Sequence, residues 1–210
     1  MSSLLLLVIF CLPAITVAQE GMWTTLYSGA LQTGERFDTH DYQPDLATLG
    51  FDDKTTSVCA AGIWILYEHH DYNSGGFGAI TPVVSDSGCI DLPTDMIGKV
   101  SSVRQAGSPS DPARSSLTLY SYTNYRSTEF YMTRDWPNLG AFNDEAYSAI
   151  LTGSQPWTVY TYENYQGSGT CLQPEQEVMV DGELVGVGLF PTYSELGSSG
   201  SIRSVRQGCD

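Results

Sequence analysis

The sequence predicts an all-β protein of two sandwich units, on three observations: helical periodicity is weak after residue 18, turn residues recur at short intervals, and four short segments begin alike. Those segments run from Trp23 to Tyr27, Trp64 to Tyr67, Leu117 to Tyr120 and Trp157 to Tyr160, each alternating bulky and small residues as a half-buried strand does. Their tyrosines stand 40, 53 and 40 residues apart, so two equal periods flank one longer gap. A duplicated unit of about 90 residues accounts for that spacing.

The elements follow in chain order. Residues 1–18 carry no charged side chain and contain the apolar run Leu4 to Leu12 before Pro13, so they read as a secretory signal ending at Ala18. Within each repeat comes a tyrosine, a polar tight turn, a second aromatic and then Gly. Tyr160, Tyr165 and Gly167 are the fullest form; Tyr67 and Tyr72 are followed by Ser74, Tyr120 and Tyr125 by Ser127, and Tyr27 by Gln32 and Gly34. Such a turn folds the second aromatic over its own hairpin, and Gly suits a position of positive φ. Residues 105–116 are rich in Pro, Ser and Gly without apolar period and read as a linker. The predicted organisation is therefore 19–104, linker 105–116 and 117–210. The last repeat is longer than the first, and its excess holds Val178 to Val185 with Asp181-Gly182 in the middle, a hairpin signal. That hairpin packs on its own sheet or protrudes as a partner surface.

Charge narrows the function. Nine Lys and Arg against 24 Asp and Glu give a net charge of −15, which repels phosphate backbones and anionic lipid. Nucleic acid is excluded as a partner, and no segment after residue 18 is apolar enough to span a bilayer. Loss of the signal removes Cys11 and leaves Cys59, Cys89, Cys171 and Cys209, an even count that points to disulfides in a secreted chain. Four cysteines allow three pairings and sequence does not choose among them; keeping each bridge inside its unit gives Cys59 with Cys89 and Cys171 with Cys209 as the expectation.

These repeats resemble the βγ-crystallin superfamily over nearly the whole mature chain. The resemblance implies four Greek-key motifs starting at residues 23, 64, 117 and 157, paired into two domains. The stretches Thr56 to Val58, Ser101 to Arg104 and Ser204 to Arg206 look like the closing strand of such motifs.

Several members of that family hold calcium in a loop of two Asn or Asp, two variable residues, Ser or Thr, then Ser. Asp52, Asp53, Lys54, Thr55, Thr56 and Ser57 fit at every position. Ca²⁺ takes six to eight oxygens. The resemblance implies side-chain oxygens from Asp52, Asp53 and Thr56, the Lys54 carbonyl, and, because the family shares each site between paired motifs, a carbonyl near Glu68. In the third loop Asn143, Asp144, Glu145 and Ser148 keep the pattern, but Tyr147 stands in the hydroxyl position. The second loop, Ile97 to Ser102, keeps its hydroxyls and lacks the acids, and the fourth places Arg203 where a ligand belongs. One calcium site in the first domain and a weaker one in the second are expected.

Other chemistry finds little support. His69, His70 and Asp71 fall on a hairpin turn without a distant third ligand, and there is no nucleophile elbow, HExxH helix or P-loop. The reading is a secreted, non-catalytic, calcium-binding structural or matrix protein, with a second copy or another secreted protein as partner through domain pairing. The alternative is a secreted binding module, such as a protease inhibitor, that would present a rigid loop after Cys171.

Overall fold

The computed structural model describes residues 21–197 and 201–209. The signal segment 1–18, the start of the first unit, and Ser199 and Gly200 of the fourth loop lie outside them.

Thirteen strands are present among the described residues, and they are almost all antiparallel neighbours. In the first half β1 (Trp23–Tyr27) pairs with β2 (Arg36–Thr39) and with the first part of β3 (Ser57–Tyr67). The first part of β3 also pairs with the end of β4 (Ile80–Asp91), and its second part pairs with the start of β4 and with β5 (Ser102–Gln105). The two long strands thus pass from one face of a sandwich to the other. The passage occurs where Ala60 pairs with Gly88 but Ala61 with Asp86, leaving Ser87 as a bulge. Beside it Gly62 has φ 92°, and a Cβ there would stand 2.5 Å from Met22 Cγ, so glycine alone fits the bend. All eleven residues of β3 are buried because strands or side chains cover it on both sides. Sequence periodicity located the start of each repeat, yet it did not show that two motifs are fused through one continuous strand.

The second half repeats the plan. β6 (Ser116–Tyr122), β7 (Arg126–Met132) and β8 (Ser148–Thr152) form one sheet with β12 (Glu183–Phe190) and β11 (Gln176–Val180), in the order β11-β12-β8-β6-β7. β9 (Trp157–Tyr162), β10 (Gln166–Leu172) and β13 (Ser204–Gln207) form the other. Loop segments bridge back in both halves, Gln43 to Val103 and Trp136 to Val205. The fold is two Greek-key β-sandwiches. Cys59 is bonded to Cys89, its direct cross-strand neighbour, and Cys171 to Cys209.

The predicted hairpin exists, with Asp181 and Gly182 both at positive φ, as a two-residue turn between strands of right-handed twist requires. Its position is the surprise. Val178, Val180, Val185 and Val187 are buried in the same apolar cluster as Trp64, Ile65 and Val83 of the first half. Met179 N–H donates to Asp86 at 2.7 Å, and Gly21 N–H donates to Asp181. The hairpin is therefore a clasp on the first sandwich, each buried valine worth about 1.5 kcal/mol or more of apolar burial.

A polar network completes the contact. Arg104, 1% exposed, donates to Tyr67 Oη at 2.9 Å, to the Ser127 carbonyl at 2.8 Å and to the Tyr125 carbonyl, and lies 3.4 Å from Glu129 Oε2. Its guanidinium sits 4.7 Å from the Tyr72 ring centroid and 4.5 Å from that of Tyr120. Tyr42 Oη donates to Glu129 Oε1 at 2.6 Å. Burial raises the Tyr67 and Tyr42 phenols and takes Tyr72 to about 12, so the phenols stay protonated and Arg104 is the cation facing Glu129.

Candidate metal centre

Each motif begins with the folded hairpin read from the sequence. Tyr67 and Tyr72, Tyr120 and Tyr125, and Tyr160 and Tyr165 meet edge to face with centroids 5.7, 5.7 and 5.9 Å apart. The left-handed residues include the aromatics and the residues before them, Asp71 and Tyr72, Asn124 and Tyr125, and Asn164 and Tyr165, with Leu31 and Gln32 in the first motif. Gly34, Ser127 and Gly167 also have positive φ, whereas Ser74 has φ −57°. In that motif the glycines at 76 and 78 take the left-handed positions instead.

One serine locks each hairpin. Ser57 Oγ accepts from Gln32 N–H at 3.0 Å and donates to the Gly29 carbonyl at 2.7 Å. Ser102 does the same with Tyr72 and His69, Ser148 with Tyr125 and Tyr122, and Ser204 with Tyr165 and Tyr162. All four serines are fully buried. Ser57 and Ser148 were expected among calcium ligands, but their hydroxyls are committed to the backbone of their own hairpins. The signal was in the sequence: the final Ser persists in loops that lack the acids, so it serves the fold.

The expected first-domain ligands divide between two places. Asp53, at φ 52°, accepts from Ser101 Oγ at 3.3 Å, and its N–H donates to the Val100 carbonyl. Thr56 Oγ1 instead donates to the Ser28 carbonyl at 3.0 Å, and Lys54 pairs with Glu35 at 2.9 Å. The Thr56 and Ser57 hydroxyls therefore do not share the place of Asp53, and the Lys54 side chain points its charge to Glu35. Asp52, Asp53 and Glu68 line an open cleft of about 590 Å³ with Lys99 and Ser101 of the second loop. The motif whose acids looked missing supplies the hydroxyl, and the loop with the acids supplies the carboxylate.

Glu68 Oε2 accepts from Ala79 N–H at 2.7 Å and Oε1 lies 3.6 Å from Lys99 Nζ. The Ala79 N–H, with Lys99 behind it, holds the Glu68 carboxyl below the usual range although partial burial opposes them. His70, expected to lack distant partners, has Nε2 3.3 Å from Asp52 and 3.7 Å from Asp45, so it ties the turn to the loop beside the cleft. Among the described residues no three His, Cys, Asp or Glu side chains are grouped to hold a metal. The cleft does suit a hard cation that also takes hydroxyls and carbonyls, because its donors are carboxylate and hydroxyl oxygens.

The second sandwich has the same backbone crossing. Asp53 N–H to Val100 carbonyl at 3.2 Å becomes Asp144 to Ile202 at 3.0 Å, and Ser101 N–H to Tyr67 carbonyl at 2.9 Å becomes Arg203 to Tyr160 at 3.0 Å. Where Ser101 faces Asp53, Arg203 faces Asp144, with Nε 3.0 Å from Oδ1 and a terminal nitrogen 2.7 Å from Oδ2. This fork-to-fork pair fills the place a cation would take. Asn143 Nδ2 donates to Asn138 and Glu163, and Glu145 lines a separate, more apolar cleft with Phe130 and Phe142. Tyr147 packs edge to face on Tyr193, centroids 6.4 Å apart. The side chains of Asn143, Asp144, Glu145 and Ser148 thus do not converge on one place.

No protein-family model and no curated protein matches the chain in sequence. Among solved structures, geodin, a βγ-crystallin from Geodia cydonium, matches over 90% of this chain and 99% of its own at 21% identity, with TM-score 0.66. A βγ-crystallin from Ciona intestinalis matches over 44% of this chain and 98% of its own at 21% identity and TM-score 0.36, and one from an archaeon over 44% and 96% at 27% identity and TM-score 0.36. The long alignment with geodin, joined to four hairpins with their serine locks and strands shared between motifs, shows that this chain has the two-domain Greek-key fold of the βγ-crystallins.

Proposed function

We propose that this is a secreted, non-catalytic structural protein stabilised by one calcium ion in its first domain, within an organisation of 19–104 and 117–210 joined by 105–116. The observation that carries the reading is the Asp53 carboxylate beside the Ser101 hydroxyl, 3.3 Å apart in a cleft that Asp52 and Glu68 also line. Calcium would take those side chains together with backbone carbonyls, and it would neutralise carboxylates that otherwise repel one another in a protein of net charge −15. Two disulfides support the extracellular setting.

The inhibitor alternative loses its main support. The stretch after Cys171 runs into the β11–β12 clasp, and Gln173 and Pro174 lie so close to β12 that a Cβ on Gly188 or Gly186 would meet them at 2.8 and 3.0 Å. Calorimetric titration of the mature protein tests the main reading. One calcium per chain is expected, with binding lost in Asp53→Asn and weakened in Ser101→Ala. Calcium a hundredfold above Kd should stabilise the fold by about 2.7 kcal/mol. Absence of binding, or binding unaltered in Asp53→Asn, would refute it.

A further inference from the structure

We infer that the second sandwich carries a binding cleft for a small organic ammonium ion with an apolar body, at a place where the first sandwich has an ion pair of its own. The cleft encloses about 480 Å³, within the range of small-molecule sites, and is lined by β7 and by the loop from Leu139 to Glu145. Its apolar part is Phe130, Leu139, Ala141 and Phe142. Phe130 is braced by two rings, Trp136 at 5.2 Å and Phe142 at 5.7 Å between centroids. Thr128 and Glu145 stand on its polar side, and no Lys, Arg or His lines it. Among the described residues no hydrogen bond or ion pair engages the exposed Glu145 carboxylate.

The duplicated units show which group is missing. Leu26 pairs with Phe37 as Leu119 pairs with Phe130, and the Glu35 N–H donates to Ser28 Oγ at 2.9 Å as the Thr128 N–H donates to Ser121 Oγ at 3.2 Å. The matched crossings of Asp53 and Asp144 make Glu145 the counterpart of Lys54, and Phe142 that of Phe51. In the first sandwich Lys54 pairs with Glu35 at 2.9 Å, and Phe37 stands 5.8 Å from Phe51. In the second, Thr128 and Glu145 take the two places of that ion pair, so the acid has become a hydroxyl and the cation a carboxylate. The loop is also shorter there. Leu46 and Leu139 donate to the matched carbonyls of Ser101 and Arg203, yet four residues separate Leu46 from Phe51 and two separate Leu139 from Phe142. A ligand whose ammonium stands where the Lys54 ammonium would, and whose apolar body covers Phe130 and Phe142, answers both departures. Glu129, which also lines the cleft, is engaged by Tyr42 and Arg104, so Glu145 is the carboxylate left for the ligand. The net charge of −15 draws cations and repels anions of the same size. Phe130 and Phe142 are half-buried, so they suit a small body entering the cleft better than a flat protein surface.

The test titrates the mature protein with phenethylammonium, read by calorimetry and by amide NMR shifts, with calcium present and again with chelator. Phenylethanol supplies the apolar body without the charge, phenylpropionate reverses the charge, and methylammonium has the charge without the body. Phenethylammonium is expected to bind about fivefold more tightly than phenylethanol, the upper end for an exposed ion pair, while the anion and methylammonium do not bind. The shifts should fall on Phe130, Leu139 and Phe142. Glu145→Gln should erase the preference for the ammonium over the alcohol. Glu177→Gln, which removes a charge from β11 at the far edge of the same sheet, should leave it unchanged. Thr128→Glu combined with Glu145→Lys rebuilds the ion pair of the first sandwich and should abolish binding of both. Thermal unfolding of each variant checks that the fold persists. No binding of phenethylammonium, equal affinity for the alcohol, a preference that survives Glu145→Gln or is lost in Glu177→Gln, or tighter binding of an oligolysine peptide would overturn the inference. The cleft belongs to the second sandwich and does not rest on the calcium reading: ammonium binding without calcium uptake would refute only the latter, and ammonium binding that requires calcium would overturn the inference.

Discussion

Arg104 offers the sharpest test of how the two sandwiches are joined. It stands on β5 of the first sandwich, while the Tyr125 and Ser127 carbonyls and the Glu129 carboxylate that face it belong to the second. Arg104→Met keeps most of the side-chain volume and removes the charge. It strands the Ser127 carbonyl, leaves the Tyr125 carbonyl with the Tyr67 hydroxyl as its donor, removes a donor from the Tyr67 hydroxyl, and leaves Glu129, whose side chain is 19% exposed, charged without a counter-ion. Breaking a buried pair from one side typically costs about 3–5 kcal/mol; the residual exposure of Glu129 places this case near the lower end, ~3 kcal/mol. The perturbation acts at the seam, so urea unfolding followed by fluorescence should change from one transition to two, with the sandwiches separating first. Adding Glu129→Gln should recover part of the loss, because an amide is cheaper than an unpaired carboxylate in that position. A single transition displaced by less than about 1 kcal/mol would show that the clasp alone couples the domains and that the network is incidental.

Two further outcomes follow from the paired loops. Arg203→Ser should raise calcium stoichiometry from one to two per chain by calorimetry, since it recreates opposite Asp144 the hydroxyl that Ser101 presents to Asp53, while unfolding in chelator changes little for a pair with both side chains 41% exposed. The Glu68 carboxyl is lowered in the folded protein, first by the Ala79 N–H and then by Lys99, so its contribution is fully present above its ordinary value of 4.5 and fades as pH falls through the lower folded value. Acid titration of stability should be shallower over that window in Glu68→Gln, and identical profiles would remove Glu68 from the account.

Much of the fold was legible because each repeat carries its own turn chemistry. The aromatic, the polar turn and the closing serine are local, and the strand alternation around them has period two, so their spacing alone puts Tyr160 and Tyr165 on one hairpin. The disulfides followed from assigning each pair to one unit, and the Asp181-Gly182 hairpin from its turn residues. What could not be read was long-range. Nothing local marks Arg104 as buried, because the acceptors that justify burying it lie 21 or more residues away on β7 and its turn. Likewise Val178 and Val180 alternate as they would on any two-layer hairpin, and only the docking of the sandwiches decides that their partners are Trp64 and Val83. The candidate site was read from one hexapeptide with a carbonyl near Glu68 from the paired motif, and the structure divides the hexapeptide's side chains for a topological reason. Asp53 sits at φ 52° and turns the chain, so the acids before the turn meet the second loop while Thr56 after it meets the Ser28 carbonyl.

The four loops separate what the fold needs from what chemistry can vary. All four keep the serine whose hydroxyl closes the hairpin, because losing it would leave a buried N–H and a buried carbonyl without partners. The preceding residue is Thr56, Ser101, Tyr147 or Arg203, which differ in size, charge and partner while the backbone crossing is retained. At Ser101 the crossing leaves a carboxylate and a hydroxyl facing an open cleft, where an added cation can supply the missing charge. At Arg203 the chain supplies that charge itself, on a side chain whose fork matches the carboxylate it faces. An internal cation needs no calcium in solution, so Asp144 has its counter-charge within the fold. Asp53 has no such partner, and its stabilisation depends on what the surrounding fluid contains. If the first cleft takes calcium as proposed, the ion stabilises the first sandwich alone, while the second carries its own cation in Arg203.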